Sequence, residues 1–233
     1  MGNLYIVATP IGNLQDITAR AIETLKSVDL IISEDTRKTG ILLNELAKKY
    51  GFEKKKINLL SYFDQNEDKR IPEVISALKD NVNIALVSDA GTPTVSDPGF
   101  KLVRECLKEG IKVISIPGAS SIISALVSSG LPTDKFTFIG FLPKKIGHRT
   151  TMFEKIKLAN SAIKTTFVLF VPPHGLIKTL EEMEHIFGDI EVVVARELTK
   201  VYEEIKKDKI SELKGYFVKK GVKGEIVLLF NLN

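Results

Sequence analysis

The sequence predicts an α/β protein of two α/β domains, the N-terminal one with a mostly parallel sheet and the C-terminal one with a mixed sheet. Three observations carry this reading. Short apolar runs alternate with helix-period segments through the first half, as in a parallel sheet with helices on both faces. Gly130-Leu131-Pro132-Thr133 then breaks the alternation. Near the end, strand-like segments follow one another without an intervening helix, and adjacent parallel strands need a longer crossover than that. We place the boundary slightly ahead of the break, giving domains of residues 1–118 and 119–233. With 233 residues, 44% of them hydrophobic, the chain can build two cores.

The elements justify themselves in order. Leu4 to Ala8 is an apolar run closed by Thr9-Pro10-Ile11-Gly12-Asn13, a turn signal. Asp16 and Thr18 are placed to cap a helix whose Ile22 and Leu25 share a face. Asp29 to Ser33 is a second strand, ending in Glu34-Asp35-Thr36-Arg37. The helix after it turns Ile41, Leu42, Leu43 and Leu46 inward. Lys54 to Lys56 is a basic turn, Ile57 to Leu60 a third strand, Tyr62 to Asn66 a polar loop and Ile71 to Leu78 a helix. Ile84 to Val87 and Val113 to Ile116 are the fourth and fifth strands, and Pro117-Gly118-Ala119-Ser120-Ser121 opens a helix to about Ser129. In the second half, strands are expected at Phe136–Gly140, Thr166–Val171, Val192–Ala195, Val201–Ile205 and Glu225–Phe230. Helices are expected from about Thr151 to Ala162, after Pro172-Pro173 to Phe187, and with Ile210, Leu213 and Phe217 on one face.

Between the fourth strand and the helix beginning at Phe100 runs Ser88-Asp89-Ala90-Gly91-Thr92-Pro93-Thr94-Val95-Ser96-Asp97-Pro98-Gly99. Ligands of open α/β sheets bind outside the carboxyl ends of the strands, where this stretch falls. Gly91 and Gly99 permit backbone shapes that a Cβ forbids, Pro93 and Pro98 stiffen the loop, and Asp97 is placed to cap the next helix. A plain surface loop has the same composition.

Composition narrows the function. The net charge of +4 makes the chain mildly basic, compatible with a polyanionic partner. Cys106 is the only cysteine, so no internal disulfide forms; its place in a helix's apolar pattern makes it core, and cytoplasmic localisation follows as the expectation. No run is long enough to span a membrane. No G-x-G-x-x-G follows the first strand, no P-loop or G-x-S-x-G occurs, and His148, His174 and His185 lack partners at metal-ligand spacing. We expect no metal site.

Four polar, small-residue segments fall at predicted strand ends: Thr9 to Asn13, Glu34 to Arg37, Asp89 to Gly99 and Pro117 to Ser121. In a parallel sheet these ends share one rim and can line one site for a small polar ligand. Ser120 and Ser121 add the N–H groups of a helix start.

These segments also resemble a known family. Ala8-Thr9-Pro10-Ile11-Gly12-Asn13-Leu14, Ser33-Glu34-Asp35-Thr36-Arg37, Ser88-Asp89-Ala90-Gly91-Thr92-Pro93, Ser96-Asp97-Pro98-Gly99, Pro117-Gly118-Ala119-Ser120-Ser121, Gly140-Phe141-Leu142-Pro143-Lys144 and Ala195-Arg196-Glu197-Leu198-Thr199-Lys200 look like the tetrapyrrole-methylase superfamily, and within it the ribosomal RNA small subunit methyltransferase I family. The resemblance covers essentially the whole chain. It implies a tetrapyrrole-methylase-like fold with S-adenosylmethionine in a cleft between the domains, methylation of a cytidine 2′-hydroxyl, ribosomal RNA or the small ribosomal subunit as partner, and a homodimer. It places Pro10, Asp89, Ala90, Gly91, Thr92, Ser120, Ser121 and Val171 at the cofactor. Two departures stand out. Phe63-Asp64-Gln65 occupies a place where the family often has histidines, and a C-terminal segment carried by longer members is missing.

A ribose hydroxyl is a weak nucleophile that a positioned base helps by accepting its proton. Glu34 and Asp35 are the candidate catalytic carboxylates, and Arg37 is a candidate clamp for phosphate or carboxylate. A helix cap with an ion pair fits the same four residues. Lys144, Lys145, His148 and Arg149 form a basic loop beside Phe141, which suits RNA phosphates with a stacked base; we take Lys144, Lys145 and Arg149 as candidate substrate contacts, and a solvated charge run as the alternative. A corrin-ring methyltransferase and a non-catalytic RNA-binding protein remain competing functions.

Overall fold

The computed structural model describes residues 1–51 and 58–232. The basic turn expected at Lys54–Lys56, and Ile57 as the start of the third strand, lie outside the described residues. The chain forms two compact units, Met1–Ser120 and Ser121–Asn233.

The first unit holds five strands: β1 (Leu4–Val7), β2 (Leu30–Ser33), β3 (Asn58–Ser61), β4 (Ile84–Val87) and β5 (Val113–Ile116). All pairings are parallel, in the order β3-β2-β4-β1-β5. Helices α1 (Ala19–Ser27), α2 (Thr36–Tyr50), α3 (Glu67–Lys79) and α4 (Phe100–Lys108) cover both faces. Alternate strand residues serve opposite cores. Ile32, Ile84 and Leu86 pack with Val74 and Leu78 of α3 and Leu102 and Cys106 of α4. Ile31, Ala85 and Val87 pack with Ile22 and Leu25 of α1 and Leu43 and Leu46 of α2. Burial on both faces is why these strands read as unbroken apolar runs.

The second unit holds α5 (Ser121–Ser128), β6 (Phe136–Phe141), α6 (Ile146–Ala162), β7 (Thr166–Val171), α7 (Leu176–Phe187), β8 (Glu191–Arg196), β9 (Glu204–Lys209), α8 (Ile210–Lys220) and β10 (Ile226–Asn231). The sheet order is β6-β7-β10-β8-β9, with β6 parallel to β7 and the other pairings antiparallel. The expected mixed sheet is therefore present. Phe153 and Ile156 of α6, Leu180 and Met183 of α7, and Ile210, Leu213 and Phe217 of α8 close one core over it.

Several local expectations are corrected. Asp16 belongs to a 3-10 turn, Leu14–Asp16, and Thr18 alone caps α1 through the N–H of Ala21. Ile41 is 63% exposed, because the inward stripe of α2 runs through Leu43 and Leu46. Asp97 does not cap α4; the cap position is Gly99, at φ +124°, with no side-chain cap. The sixth helix starts at Ile146, so His148 and Arg149 lie in its first turn rather than in a loop. The strand expected at Val201–Ile205 runs from Glu204 to Lys209 instead. Val201 and Tyr202 form the exposed tip of the preceding turn, and the strand's charged residues suit an open sheet edge.

Candidate functional site

The carboxyl-end rim of the parallel sheet is tied together by its own loops. After β1 and β4, Thr9 N–H donates to Gly91 O at 2.8 Å and Gly91 N–H returns to Thr9 O at 3.1 Å. Thr9 Oγ1 also donates to Ser88 O at 3.3 Å. Across to the segment after β5, Thr92 Oγ1 donates to Ala119 O at 3.2 Å. Towards β2, Asp89 accepts the Asp35 N–H on Oδ1 at 3.2 Å and Lys38 Nζ on Oδ2 at 2.6 Å. The structure thus joins Thr9, Asp35, Asp89, Gly91, Thr92 and Ala119, residues scattered over more than a hundred positions of sequence. Pro10 follows Thr9 directly, and Ala90 lies inside the same lacing.

Backbone lines this rim closely. A Cβ on Gly91, at φ +83°, would stand 3.3 Å from Ile11 Cγ2, and one on Gly118 would stand 3.0 Å from the Cβ of Ala8. Both glycines therefore let their loops pack close against Ile11 and Ala8, where a side chain would force them apart. The central loop bends through left-handed backbone at Thr94 (φ +73°) and Ser96 (φ +63°), a conformation uncommon outside glycine and concentrated at functional sites. Beneath the rim, the hydroxyl of Ser33 is fully buried with no partner among the described residues.

The carboxylates separate by environment. Asp35 caps α2 and binds Arg37 through Nε at 3.0 Å and Nη2 at 2.8 Å. Those bonds hold its carboxyl at about 2. Glu34, next to it, moves the other way: burial, then the charges of Asp89 and Asp64, raise it above the usual carboxylate range. Burial lifts Asp97 to about 6, with Glu34, Asp89 and Asp64 adding to the rise and a hydrogen bond with Ser88 opposing it. Groups whose environments push them apart in this way divide naturally into acids, bases and structural anions.

A fifth strand end, after β3, belongs to the same rim and was missed by the sequence reading. Ser61, Phe63 and Gln65 join Glu34 to Arg37 and Asp89 around a depression of about 410 Å³. Buried Glu67 accepts the Tyr62 hydroxyl at 2.9 Å and the Gly99 N–H at 3.0 Å, fixing the far end of the central loop. Burial and that bond push the Tyr62 phenol well above its ordinary value. The signal for this segment was its position at a parallel strand end, the rule that selected the other four.

The remaining candidates lie elsewhere. Ser120 precedes α5, which begins at Ser121. Val171 is buried at the end of β7, paired with Ile226. Lys144 and Lys145 are solvent-facing ahead of α6. Arg149 is engaged: Nε and Nη2 hold both oxygens of Glu182 at 2.7 and 2.6 Å, and Nη1 donates to Lys144 O. In the Ala195–Lys200 segment, Arg196 pairs with Glu204 at 3.2 Å, and Glu197 accepts Lys200 Nζ at 2.9 Å and the Glu225 N–H at 3.0 Å.

Residues 3–214 match the family model for tetrapyrrole (corrin/porphyrin) methylases. The chain belongs to the tetrapyrrole methylase family. Three relatives carry the same name. It is 46% identical over 231 residues to ribosomal RNA small subunit methyltransferase I of Thermotoga maritima, across 99% of each chain. The protein of the same name from Hydrogenobaculum sp. is 46% identical over 98% of this chain and 95% of its own. That from Haemophilus influenzae is 45% identical over 98% of this chain and 78% of its own. Solved structures share the methylase fold. Diphthine synthase matches with a TM-score of 0.72 at 19% identity, covering 98% of this chain and 90% of its own. The cobalt precorrin-4 methyltransferase CbiF matches at 0.66 and 18%, covering 97% and 94%. A uroporphyrin-III C-methyltransferase from Thermus thermophilus, solved in complex with S-adenyl homocysteine, matches at 0.62 and 15%, covering 98% and 97%.

Proposed function

We propose that this tetrapyrrole methylase family member uses S-adenosylmethionine to methylate the ribose 2′-hydroxyl of a cytidine in small-subunit ribosomal RNA. The observation that carries the reading is near-full-length identity of 46% to a protein named ribosomal RNA small subunit methyltransferase I. The rim supports it. Gly91 and Gly118 let the loops after β4 and β5 pack close against Ile11 and Ala8, which leaves backbone groups at the rim to meet a ligand. Pro10, Asp89 to Thr92, Ser120, Ser121 and Val171 are the residues we assign to the cofactor, with Asp89 acting by fixing the turn before α2. S-adenosylmethionine, when bound, supplies the methyl group.

The chain's own task is orientation and proton management. Glu34 is the proton acceptor on this reading: its raised carboxyl is closer to working pH and so a better base. Asp35, capped and paired, holds Arg37 and the helix start. Lys144 and Lys145 meet RNA phosphates, whereas Arg149 acts through its pair with Glu182. A homodimer in the cytoplasm, with domains divided at 118/119, completes the proposal.

The test is to incubate the protein with radiolabelled S-adenosylmethionine and unmodified small ribosomal subunits, digest the RNA and identify the labelled nucleoside. Label on the ribose of cytidine is expected. Label only on a tetrapyrrole supplied in parallel, or no label despite cofactor binding, overturns the substrate assignment.

A further inference from the structure

A cavity of about 730 Å³ lies within the second unit, at the end of its sheet where β7 begins and β10 finishes. It falls within the usual range of small-ligand sites. Two features of its wall point to one kind of occupant. Leu131, Phe187 and Ile190 give it an apolar surface, and Phe187 is held edge-on against Phe153 at 5.6 Å between ring centres. On the rim, Lys157 of α6 and Lys164 have no ion-pair partner among the described residues, whereas the third lysine, Lys207, is paired with Glu191 at 3.3 Å.

An apolar and aromatic wall accepts a planar base. Two unpaired ammonium groups at the mouth suit phosphate, and lysine meets phosphate as a point charge. We infer that this cavity binds a nucleotide, namely an unpaired nucleotide of the RNA substrate, with its base against Phe187 and its phosphate between Lys157 and Lys164. The RNA source rests on the function proposed above; the nucleotide chemistry does not. The pocket holds none of the rim residues assigned to methyl transfer, so it acts in substrate recognition alone.

The experiment has two arms on the full chain. In the first, isotope-labelled protein is titrated with cytidine 5′-monophosphate and, separately, with inorganic phosphate while amide shifts are followed by NMR. Shifts at Phe187, Lys157 and Lys164 with the nucleotide, and weaker ones with phosphate, are expected; no shift at these residues overturns the pocket. In the second, binding of a single-stranded fragment of small-subunit ribosomal RNA is measured from about 50 to 200 mM salt for wild type and Lys157→Ala/Lys164→Ala. The lysine variant is expected to bind at least tenfold more weakly, with the salt slope reduced by about 1.4, the value for two contacts to a single strand. Both lysines are exposed, so its melting temperature and S-adenosylmethionine affinity should match wild type. Unchanged RNA affinity and slope, with nucleotide shifts present, overturn the RNA source in favour of a free nucleotide. Nucleotide shifts in a wild type that transfers no methyl group to ribosomal RNA support the pocket and overturn the function proposed above instead.

Discussion

Replacing Asp97 with asparagine should stabilise the protein, and by an amount that depends on pH. The carboxyl is lifted from 3.8 to about 6, chiefly by burial. One unit corresponds to about 1.4 kcal/mol, so ionised Asp97 costs at most about 3 kcal/mol at neutral pH, and about 1–3 kcal/mol once residual solvent screening is allowed for. The sign follows from the direction of the shift. The folded state holds this proton more tightly than the unfolded state, so the carboxyl favours folding below about pH 4 and loses that contribution as pH rises through about 6. Asp97→Asn removes the titration while keeping the shape and a partner for Ser88. Urea unfolding of both proteins at about pH 4.5 and about pH 8, with equal m-values, isolates the term. The gain should be small at the lower pH and full at the higher one. A gain equal at both, or a loss at the higher pH, would refute the burial argument. Retention of so costly a group in a loop that also carries left-handed Thr94 and Ser96 fits a site selected for chemistry over stability.

Glu67→Ala strands two donors, the Tyr62 hydroxyl and the Gly99 N–H, and should cost about 2–5 kcal/mol in denaturant unfolding; Tyr62→Phe removes one partner and should cost about 1 kcal/mol. Equal losses would mean the Gly99 contact contributes nothing. Arg149→Ala breaks a bidentate pair whose side chains are 14% and 13% exposed, and should lower stability by about 2–4 kcal/mol, while Lys144→Glu/Lys145→Glu should weaken RNA binding with melting unchanged. A wild-type melting temperature for Arg149→Ala would remove its structural role. Gly118→Val should weaken S-adenosylmethionine binding measured by calorimetry, because even a Cβ there meets Ala8 at 3.0 Å and pushes the loop after β5 off the one after β1; wild-type affinity would take that packing out of the cofactor site. In pH–rate profiles, methyl transfer by wild type should fall as acid protonates Glu34, and Glu34→Gln should lose that limb while Asp35→Asn keeps it. An acid limb surviving in Glu34→Gln assigns the proton to another group.

The central strand β4 is legible because both its faces are buried, and Ile84 to Val87 appears in the sequence at its observed limits. Val113 to Ile116 appears at its limits as well, although Ser115 is exposed. What the pattern could not show was direction within a helix or the partner of a charge. Ile41 looks as apolar as Leu43, yet only the latter meets the sheet. Arg149 reads as one more cation in a basic run, and its partner, Glu182, lies 33 residues away. The acid at 97 sits three residues before a helix, where capping is the local expectation, but Gly99 at φ +124° takes the cap position and the loop turns the carboxyl back to Ser88. The rim itself was foreseen from strand ends alone. Its fifth segment was passed over because Tyr62 to Asn66 carries no glycine or proline to draw attention.

The charge layout gives the proposed chemistry a division of labour. Asp64 and Asp89 raise the proton affinity of both Glu34 and Asp97 at the parallel sheet's rim, Glu34 adds to the rise at Asp97, and Lys38 is set against Glu34 and Asp89 there. Such a rim repels a polyanion and suits a sulfonium and a leaving proton. On the function proposed above, the RNA strand is gripped by cations other than that rim, and Lys144 and Lys145, ahead of α6, with Lys157 and Lys164 are exposed cations of the second unit. Raising the salt concentration should accordingly weaken RNA binding steeply while leaving S-adenosylmethionine affinity nearly unchanged, because counterion release acts on the phosphate contacts alone. Parallel salt titrations of the two ligands test this directly: equal sensitivity would place RNA and cofactor in one electrostatic site and undo the division.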